Sequence, residues 1–388
     1  MRKIYTDYAA TTPTDPRVLE AMEPFFSEVY GNASSMNAFG LEARKAIEDA
    51  RNVVSGFMNT EHEELIFTGS ATEANNLILK GFAFKKGMQK VHIAVSTIEH
   101  DSVLNTVDWL ERQGVKISQI PVDEYGLLKM GALMDALKSG VSLVSVIHAN
   151  NEVGTVQPIS EIGKICHEHG AYLHTDAAQS FGKIPIDVKQ MNIDYMTVNA
   201  HKIYGPKGVG ALFLSKGAAA VDPLVHGGGH EFGLRSGTEN TPGIVGFAKA
   251  VEIRRDEMVP ESKRIDKLRN QLVEGALKIE DAYLNGHPTK RLPNIASLRF
   301  SYIDGESLLL LLNDEGIAAT TGSACSSRSQ EPSHVLLALG IKPEEARGSL
   351  RFSLGKYNNE EDVDYILDVL PKAVRKLREI SPLGKNAY

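Results

Sequence analysis

Cysteine is scarce in this chain: two of 388 residues, Cys166 and Cys325. Two thiols are too few for a disulfide framework, and both are expected to be reduced in a cytoplasmic protein. Long apolar runs are missing. "SLLLLLN" falls far short of the roughly 20 residues that a membrane-spanning helix needs, and "MRKIYTDYAATTP" holds no signal-peptide apolar core. Positive charge is not in excess. Against 49 Asp and Glu stand 42 Lys and Arg, a net −7, which argues against a nucleic-acid or membrane-surface role. The basic stretch "KAVRKLREI" near the C-terminus reads as a solvated helix face. Two phosphate signatures are also missing. No G-K-[ST] loop is present, and no G-x-G-x-x-G fingerprint, which disfavours a P-loop NTPase and an NAD-linked dehydrogenase. There is no internal repeat and no low-complexity tract.

What remains is an ordinary globular composition, 42% hydrophobic and 23% charged. The chain is longer than the roughly 250–300 residues at which one core stops growing, so two domains are expected. From Glu64 to Leu214 apolar strands alternate with helical patterns, as in "ELIFTGSATEANNLILKGFAF" and "KVHIAVSTIEHDSVLNTVDWLERQG". That alternation predicts an α/β fold whose mainly parallel sheet is covered by helices on both faces. Residues 15–255 form the large domain in this reading. Residues 1–14 and 256–388 form a smaller α+β domain. The spacing predicts a long helix after Gly246, interrupted near Pro260, then strands in "NIASLRF", "IAATTG" and "GSLRFSLG". A last helix is expected from Glu360 to Ile380, with Val363, Ile366, Leu367 and Leu370 facing the core.

The polar residues fall where such a sheet binds ligands, beyond the carboxyl ends of its strands. Successive strands end in "TGSATEAN", "TIEH", "HANNE", "HTDAAQ" and "NAHK". Singly, Asp176 could be a helix cap, His100 a loop histidine and Asn151 a turn residue. Five such ends on one rim form a constellation. The small residues before the helix at Ala71 and Thr72 leave backbone N–H groups free for a phosphate. Lys202, between an apolar strand and a glycine-rich turn, is placed to form a Schiff base, and Asp176 to pair with a pyridinium nitrogen. Those are the demands of pyridoxal 5′-phosphate. A lysine near other cations has a depressed pKa and serves as nucleophile and base.

The motifs "YTDYAATTP", "FTGSATEANN", "TIEH", "HANNEVGT", "HTDAAQSFGK", "NAHKIYGPKGVGAL", "HGGGHEFGLRSGTEN", "TTGSACSS" and "RFSLGKYN" together resemble the cysteine desulfurases of the NifS/IscS type, within the class V aminotransferases. The resemblance runs nearly end to end. It implies a fold-type I pyridoxal-phosphate enzyme, a homodimer, and conversion of L-cysteine to alanine with the sulfur left as a persulfide on Cys325. It implies further that Lys202 is the Schiff-base lysine, Asp176 the partner of the ring nitrogen, Gln179 the partner of the phenolic oxygen and His100 a ring-stacking proton shuttle. Ala71, Thr72, Asn199 and His201 would hold the phosphate, with Thr238 reaching the partner subunit's phosphate. Asn151 and Arg351 would hold the substrate carboxylate.

The chain departs from the family pattern in three places. Asn199 stands where serine is usual. Ala33 and Asn37 stand where relatives often have proline and histidine. His100 and Arg328 are candidate activators of the Cys325 thiolate. Cys166, beside the apolar stripe of its helix, reads as a small buried hydrophobe, because Cys166, His167 and His169 share no helix face for a metal. The sulfur acceptor implied is an iron–sulfur scaffold of the IscU/NifU kind. Two alternatives stand beside this reading: a selenocysteine lyase, and a non-catalytic protein that kept the fold.

Overall fold

The computed structural model describes residues 3–321 and 332–381. Cys325 and Arg328 therefore lie outside the described residues. In chain order the elements begin with β1 (Ile4–Tyr5), α1 (Pro16–Met22), α2 (Pro24–Ser27) and α3 (Ala38–Phe57). An α/β run follows: β2 (Leu65–Thr68), α4 (Ala71–Lys86), β3 (His92–Ser96), α5 (Asp101–Arg112), β4 (Lys116–Ile120), α6 (Met130–Lys138), β5 (Leu143–Ser145), α7 (Ile159–Glu168), β6 (Tyr172–Asp176), β7 (Tyr195–Asn199) and β8 (Gly210–Leu214). The remainder is α8 (Thr241–Ala276), β9 (Ala282–Leu284), β10 (Ile295–Phe300), α9 (Gly305–Asp314), β11 (Ile317–Ala318), α10 (His334–Ala338), α11 (Pro343–Ala346), β12 (Ser349–Ser353) and α12 (Glu360–Ile380).

Seven strands make the main sheet, in the order β2-β8-β7-β6-β5-β3-β4. Strands β4, β3, β5, β6 and β7 pair in parallel. Only β8 runs against its neighbours β7 and β2. The reason is the connection. Every parallel pair needs a long crossover, whereas residues 200–209 give a direct return from β7 to β8. Strands β3, β5 and β7 are buried along their whole length, as two-sided cover by helices requires. Asn37, at a position of family departure, caps α3: its side chain accepts from the Gly40 N–H at 3.0 Å.

A second core lies apart from the first. It gathers Ile265, Leu268 and Leu272 of α8, Leu298 and Phe300 of β10, Leu350 and Phe352 of β12, and Val363, Ile366 and Leu370 of α12. Leu367 is only partly buried against it. It lies over Gly275, where a Cβ would stand 2.5 Å from Leu367 Cδ1, so α8 and α12 approach through that glycine. Strand β1 joins β11 in parallel, which brings the start of the chain beside this second core.

The expected interruption at Pro260 does not occur: α8 is one helix of 36 residues. Proline cannot donate to the carbonyl four residues back, but side chains brace the turn from outside. Arg254 Nη1 pairs with Glu261 Oε2 across the proline at 2.7 Å. Arg254 Nε donates to the Gly182 carbonyl at 2.9 Å, and Ser262 Oγ to the Lys183 carbonyl at 2.7 Å.

The loop that carries Thr238 is fixed by a buried ion pair. Arg51 and Glu231 meet in a two-point fork at 2.8 Å each. Glu231 Oε2 also accepts the Phe67 N–H of β2 at 2.7 Å. Glu231 and Phe232 adopt φ of 49° and 56°, so two side chains sit in a left-handed backbone that the pair must hold in place. Glu231→Ala leaves the buried Arg51 guanidinium only Glu48 at 3.4 Å and the Leu65 carbonyl at 2.7 Å, and is expected to cost about 3 kcal/mol of stability, the low end for breaking a buried pair. Urea unfolding measures it; a loss below about 1 kcal/mol would contradict this account of the loop.

Candidate active site

Lys202 sits in the turn between β7 and β8. The turn closes on one carbonyl: the Ile203 and Gly205 N–H groups both donate to Ala200 O at 3.0 Å. Tyr204 adopts φ of 67°, a conformation its side chain disfavours. Its N–H donates to Thr12 Oγ1 at 2.9 Å, and its carbonyl accepts the Asp15 N–H at 2.9 Å. The turn is thus clamped from the N-terminal segment, and Lys202 is left half-buried beside it.

Asp176, at the end of β6, is buried with both oxygens oriented. Oδ1 accepts from the Ala178 N–H at 2.9 Å, and Oδ2 from Asn75 Nδ2 at 2.8 Å. Asn75 also donates to Ser102 Oγ at 2.9 Å. Ser102 in turn bonds His100 Nδ1, through its hydroxyl at 2.8 Å and its N–H at 3.1 Å. A backbone N–H can only donate, so Nδ1 is the acceptor and neutral His100 carries its proton on Nε2. Burial lowers the His100 pKa, opposed by the charge of Asp176 and assisted by that of Lys202. His100 therefore rests as neutral imidazole.

The N-terminal segment crosses this rim residue by residue. Asp7 Oδ1 accepts from Arg351 Nη2 at 2.7 Å, while Arg351 Nη1 donates to the Asn151 carbonyl at 2.8 Å. The Ala9 carbonyl accepts from Gln179 Nε2 at 2.8 Å. Thr11 Oγ1 lies 3.1 Å from His201 Nδ1, and Thr12 bonds the His201 carbonyl. His201 is held neutral, its pKa lowered to about 4 by burial and by Lys202, Lys207 and Lys183.

The start of α4 is a candidate anion cradle, as a helix N-terminus with free backbone N–H groups. Ser70 caps the helix by accepting from the Glu73 N–H at 3.1 Å, and the N–H groups of Ala71 and Thr72 stand ahead of the first intrahelical bond. Gly210 borders the cradle. A Cβ there would lie 2.8 Å from the Val198 carbonyl oxygen, 2.9 Å from Ser70 C and 3.1 Å from Ala71 N. Asn199 is buried nearby with an amide oxygen that meets no donor. Its nitrogen is the end that can serve an anion. Thr238 is exposed. Its loop reaches this helix start through Arg235, whose Nε lies 2.9 Å from Glu73 Oε1.

Asp176, His100, Lys202, Gln179, His201, Asn151 and Arg351 thus share one rim with the cradle. Sequence reading passed over the residues that orient them: Asn75, Ser102, Asp7, Ala9, Thr11 and Thr12. All lie in or beside the motifs "FTGSATEANN", "TIEH" and "YTDYAATTP", but their bonding becomes visible only when the strand ends meet. Cys166 is fully buried in α7, its thiol pushed up to about 12 by burial. His167 pairs instead with Asp194 at 2.8 Å, and His174 lies between Ser145 and Thr197.

The class-V aminotransferase model matches residues 4–366. The chain belongs to the class-V aminotransferase family. A protein named cysteine desulfurase IscS 1 from Archaeoglobus fulgidus is 49% identical over 382 residues, spanning 98% of this chain and 100% of its own. A cysteine desulfurase IscS from Methanosarcina thermophila is 48% identical over 387 residues, 100% of this chain and 96% of its own. Among solved structures, a NifS-like protein superimposes with a TM-score of 0.88 at 40% identity, covering 98% and 99% of the two chains. A protein described as SspA in complex with cysteine matches with a TM-score of 0.82 at 37% identity, over 92% of this chain and 100% of its own. The fold is that of the pyridoxal-phosphate enzymes of fold type I, and pyridoxal 5′-phosphate is the cofactor of this family. The residues present fit it. An oriented carboxylate, an amine on a clamped turn and a helix start that β8 approaches too closely at Gly210 for any Cβ lie on one rim.

Protonation below the rim is unusual. Glu99 Oε1 accepts from Ser96 Oγ and from the Ile147 N–H at 2.6 Å, while Oε2 is buried without a partner. Burial raises its pKa from 4.5 to about 8, so it is a neutral acid at pH 7. A folded pKa above the unfolded one contributes stability that is complete below about pH 4.5 and is lost as pH rises to about 8. Buried His148 and His174, lowered from 6.5 to about 4, act with opposite sign, and their contribution is lost as pH falls from 6.5 toward 4. Glu99→Gln is expected to flatten the decline in unfolding free energy between pH 5 and 8 and to leave the acid-side decline intact. Denaturant titrations across pH check it; an unchanged alkaline slope would contradict a protonated Glu99.

Proposed function

We propose that the chain is a cysteine desulfurase that converts L-cysteine to L-alanine with pyridoxal 5′-phosphate and keeps the sulfur as a persulfide on Cys325. The linked series Asp176–Asn75–Ser102–His100, facing Lys202 across the rim, carries this reading. Such a series serves a heterocycle that needs an acid at its nitrogen and a neutral imidazole at its face. Relatives named cysteine desulfurase match the whole chain, which does not favour the selenocysteine lyase alternative.

Bound at this rim, the cofactor supplies a sink for the electron pair left when the substrate α-proton departs. The chain's own residues do the rest. Asp176, kept rigid by Asn75 and the Ala178 N–H, holds a negative charge where the ring nitrogen lies. Arg351, oriented by Asp7 and the Asn151 carbonyl, receives the substrate carboxylate with Asn151. The Lys202 amine takes the α-proton and returns it to carbon. His100, neutral with its proton on Nε2, passes protons at the ring face. The Cys325 thiolate attacks the substrate sulfur, a sulfur–sulfur bond forms, and the carbon–sulfur bond breaks with its electron pair left on the β-carbon, which takes up the proton that left the Cys325 thiol. Alanine leaves and the enzyme keeps S–SH, so no outside oxidant or reductant enters. His100 is neutral at rest, so a cation that lowers the Cys325 pKa has to come from elsewhere, and Arg328 is the remaining candidate.

A second copy of the chain completes this site. Phe26, Tyr30, Met36 and Phe39 stand 66%, 65%, 91% and 54% exposed, with Tyr30 stacked on Phe39 at 5.7 Å. Such an apolar area calls for a cover. A partner subunit supplies it, and brings the Thr238 loop to the phosphate cradle. In this reading residues 15–255 form the cofactor domain, and 1–14 with 256–388 the small domain that carries Cys325. The enzyme works in the cytoplasm and passes sulfur to a scaffold protein of the IscU/NifU kind. Among the described residues no helix is long and apolar enough to cross a membrane.

Mass spectrometry after a single turnover without reductant tests the chemistry. One added sulfur is expected on the Cys325 peptide, none with Cys325→Ser or Lys202→Ala, and an unaltered result with Cys166→Ser. Sulfur on Cys166, or full-rate sulfide release by Cys325→Ser, would sink the mechanism. Sedimentation of wild type and Met36→Glu tests the dimer. The variant is expected to dissociate and to lose cofactor affinity; a fully active monomer would refute the shared site.

A further inference from the structure

Lys183 is a buried amine that the reaction as described does not use. It closes the motif "HTDAAQSFGK", four residues after Gln179. Its stem is half-buried, and its Nζ donates to Gln179 Oε1 at 3.1 Å. Lys183 and Lys202 line the same cavity of about 30 Å³, with Tyr8, Thr12, Arg254 and Asn294 among its walls. That is room for about one water. Both amide atoms of Asn294 are buried without a protein partner, so polar groups face that space beside the Lys183 amine. The charged groups around Lys183 are Lys202, Arg254, Arg351 and Glu261, and Glu261 is committed to Arg254 at 2.7 Å. Among the described residues no carboxylate therefore pairs with Lys183, and burial with three neighbouring cations holds its pKa well below the usual lysine range.

We infer that Lys183 is a positioning residue: its amine sets which end of the Gln179 carboxamide faces the cofactor. A carboxamide is nearly symmetric in shape, and only its partners decide which end is oxygen. The Ala9 carbonyl can only accept, so it takes one hydrogen of Nε2. The Lys183 amine donates to Oε1. Together they leave the second Nε2 hydrogen as the one group Gln179 can offer outward. With Lys183 gone, Oε1 is buried without a donor, and only the Ala9 carbonyl still opposes a turn that would bring the oxygen of the carboxamide toward an oxygen of the cofactor.

This inference rests on Gln179 donating to the cofactor's phenolic oxygen, and the experiment separates the two. The pH titration of the cofactor's visible absorption band is recorded in the loaded enzyme without substrate. An N–H on the phenolic oxygen favours the deprotonated form, so Gln179→Ala is expected to raise the band's pKa by about one unit. Lys183→Met should raise it similarly, and should add nothing in the Gln179→Ala background. Lys183→Arg, which keeps a donor toward Oε1, should return the titration to that of wild type. If Gln179→Ala leaves the band unmoved, the reading of Gln179 itself fails. If Gln179→Ala moves it and Lys183→Met does not, or if the two shifts add, Lys183 does not act through Gln179. Thermal melts without cofactor report folding. Should Lys183→Met not fold, Lys183→Gln, which ends too short to reach Oε1, takes its place with the same expected shift.

Discussion

The pair between Arg351 and Asp7 is the contact on which the rest of the rim depends. Arg351 belongs to β12, at the second core. Asp7 belongs to the N-terminal segment, and the Asn151 carbonyl that takes the other arm of the guanidinium belongs to the loop after β5. The backbone of Arg351 is bonded in both directions to Thr320, ahead of the segment that carries Cys325. Three separate parts of the chain meet at one side chain that is 4% exposed. A guanidinium that deep must be paired, and the pairing holds the N-terminal segment across the site. Ala9, Thr11 and Thr12 then fall against Gln179, His201 and the strained turn beside Lys202.

The electrostatics follow from that crowding. Lys202, Arg254 and Arg351 all act on the Lys183 amine, and Asp7 and Glu261 answer Arg351 and Arg254. Groups that cannot be paired are neutral instead. His100, His148, His174 and His201 have lowered pKa values, and Glu99 has a raised one. The same low-dielectric setting that penalises free charge strengthens the field of the oriented Asp176 carboxylate. A rim built this way arranges its protons before substrate arrives.

Much of this was legible in the sequence. The strand–helix alternation from Glu64 to Leu214 predicts the sheet, and α12 spans Glu360–Ile380 as expected, because strongly periodic segments report their own burial. The types of residue at the strand ends, and the turn that carries Lys202, are local features that the sequence displays directly. Tertiary contacts settled what no local pattern could. Pro260 does not break α8, because Arg254 and Glu261 brace it. The orientation of Asp176 comes from Asn75 on α4, which only the closed sheet brings beside β6, whereas the tautomer of His100 is set locally by Ser102, two residues on. Asp7 serves Arg351 across 344 positions of sequence. Hydrophobic period and turn chemistry are properties of a segment and can be read from it. A hydrogen-bond partner is a property of a place in space, and only folding brings its two halves together.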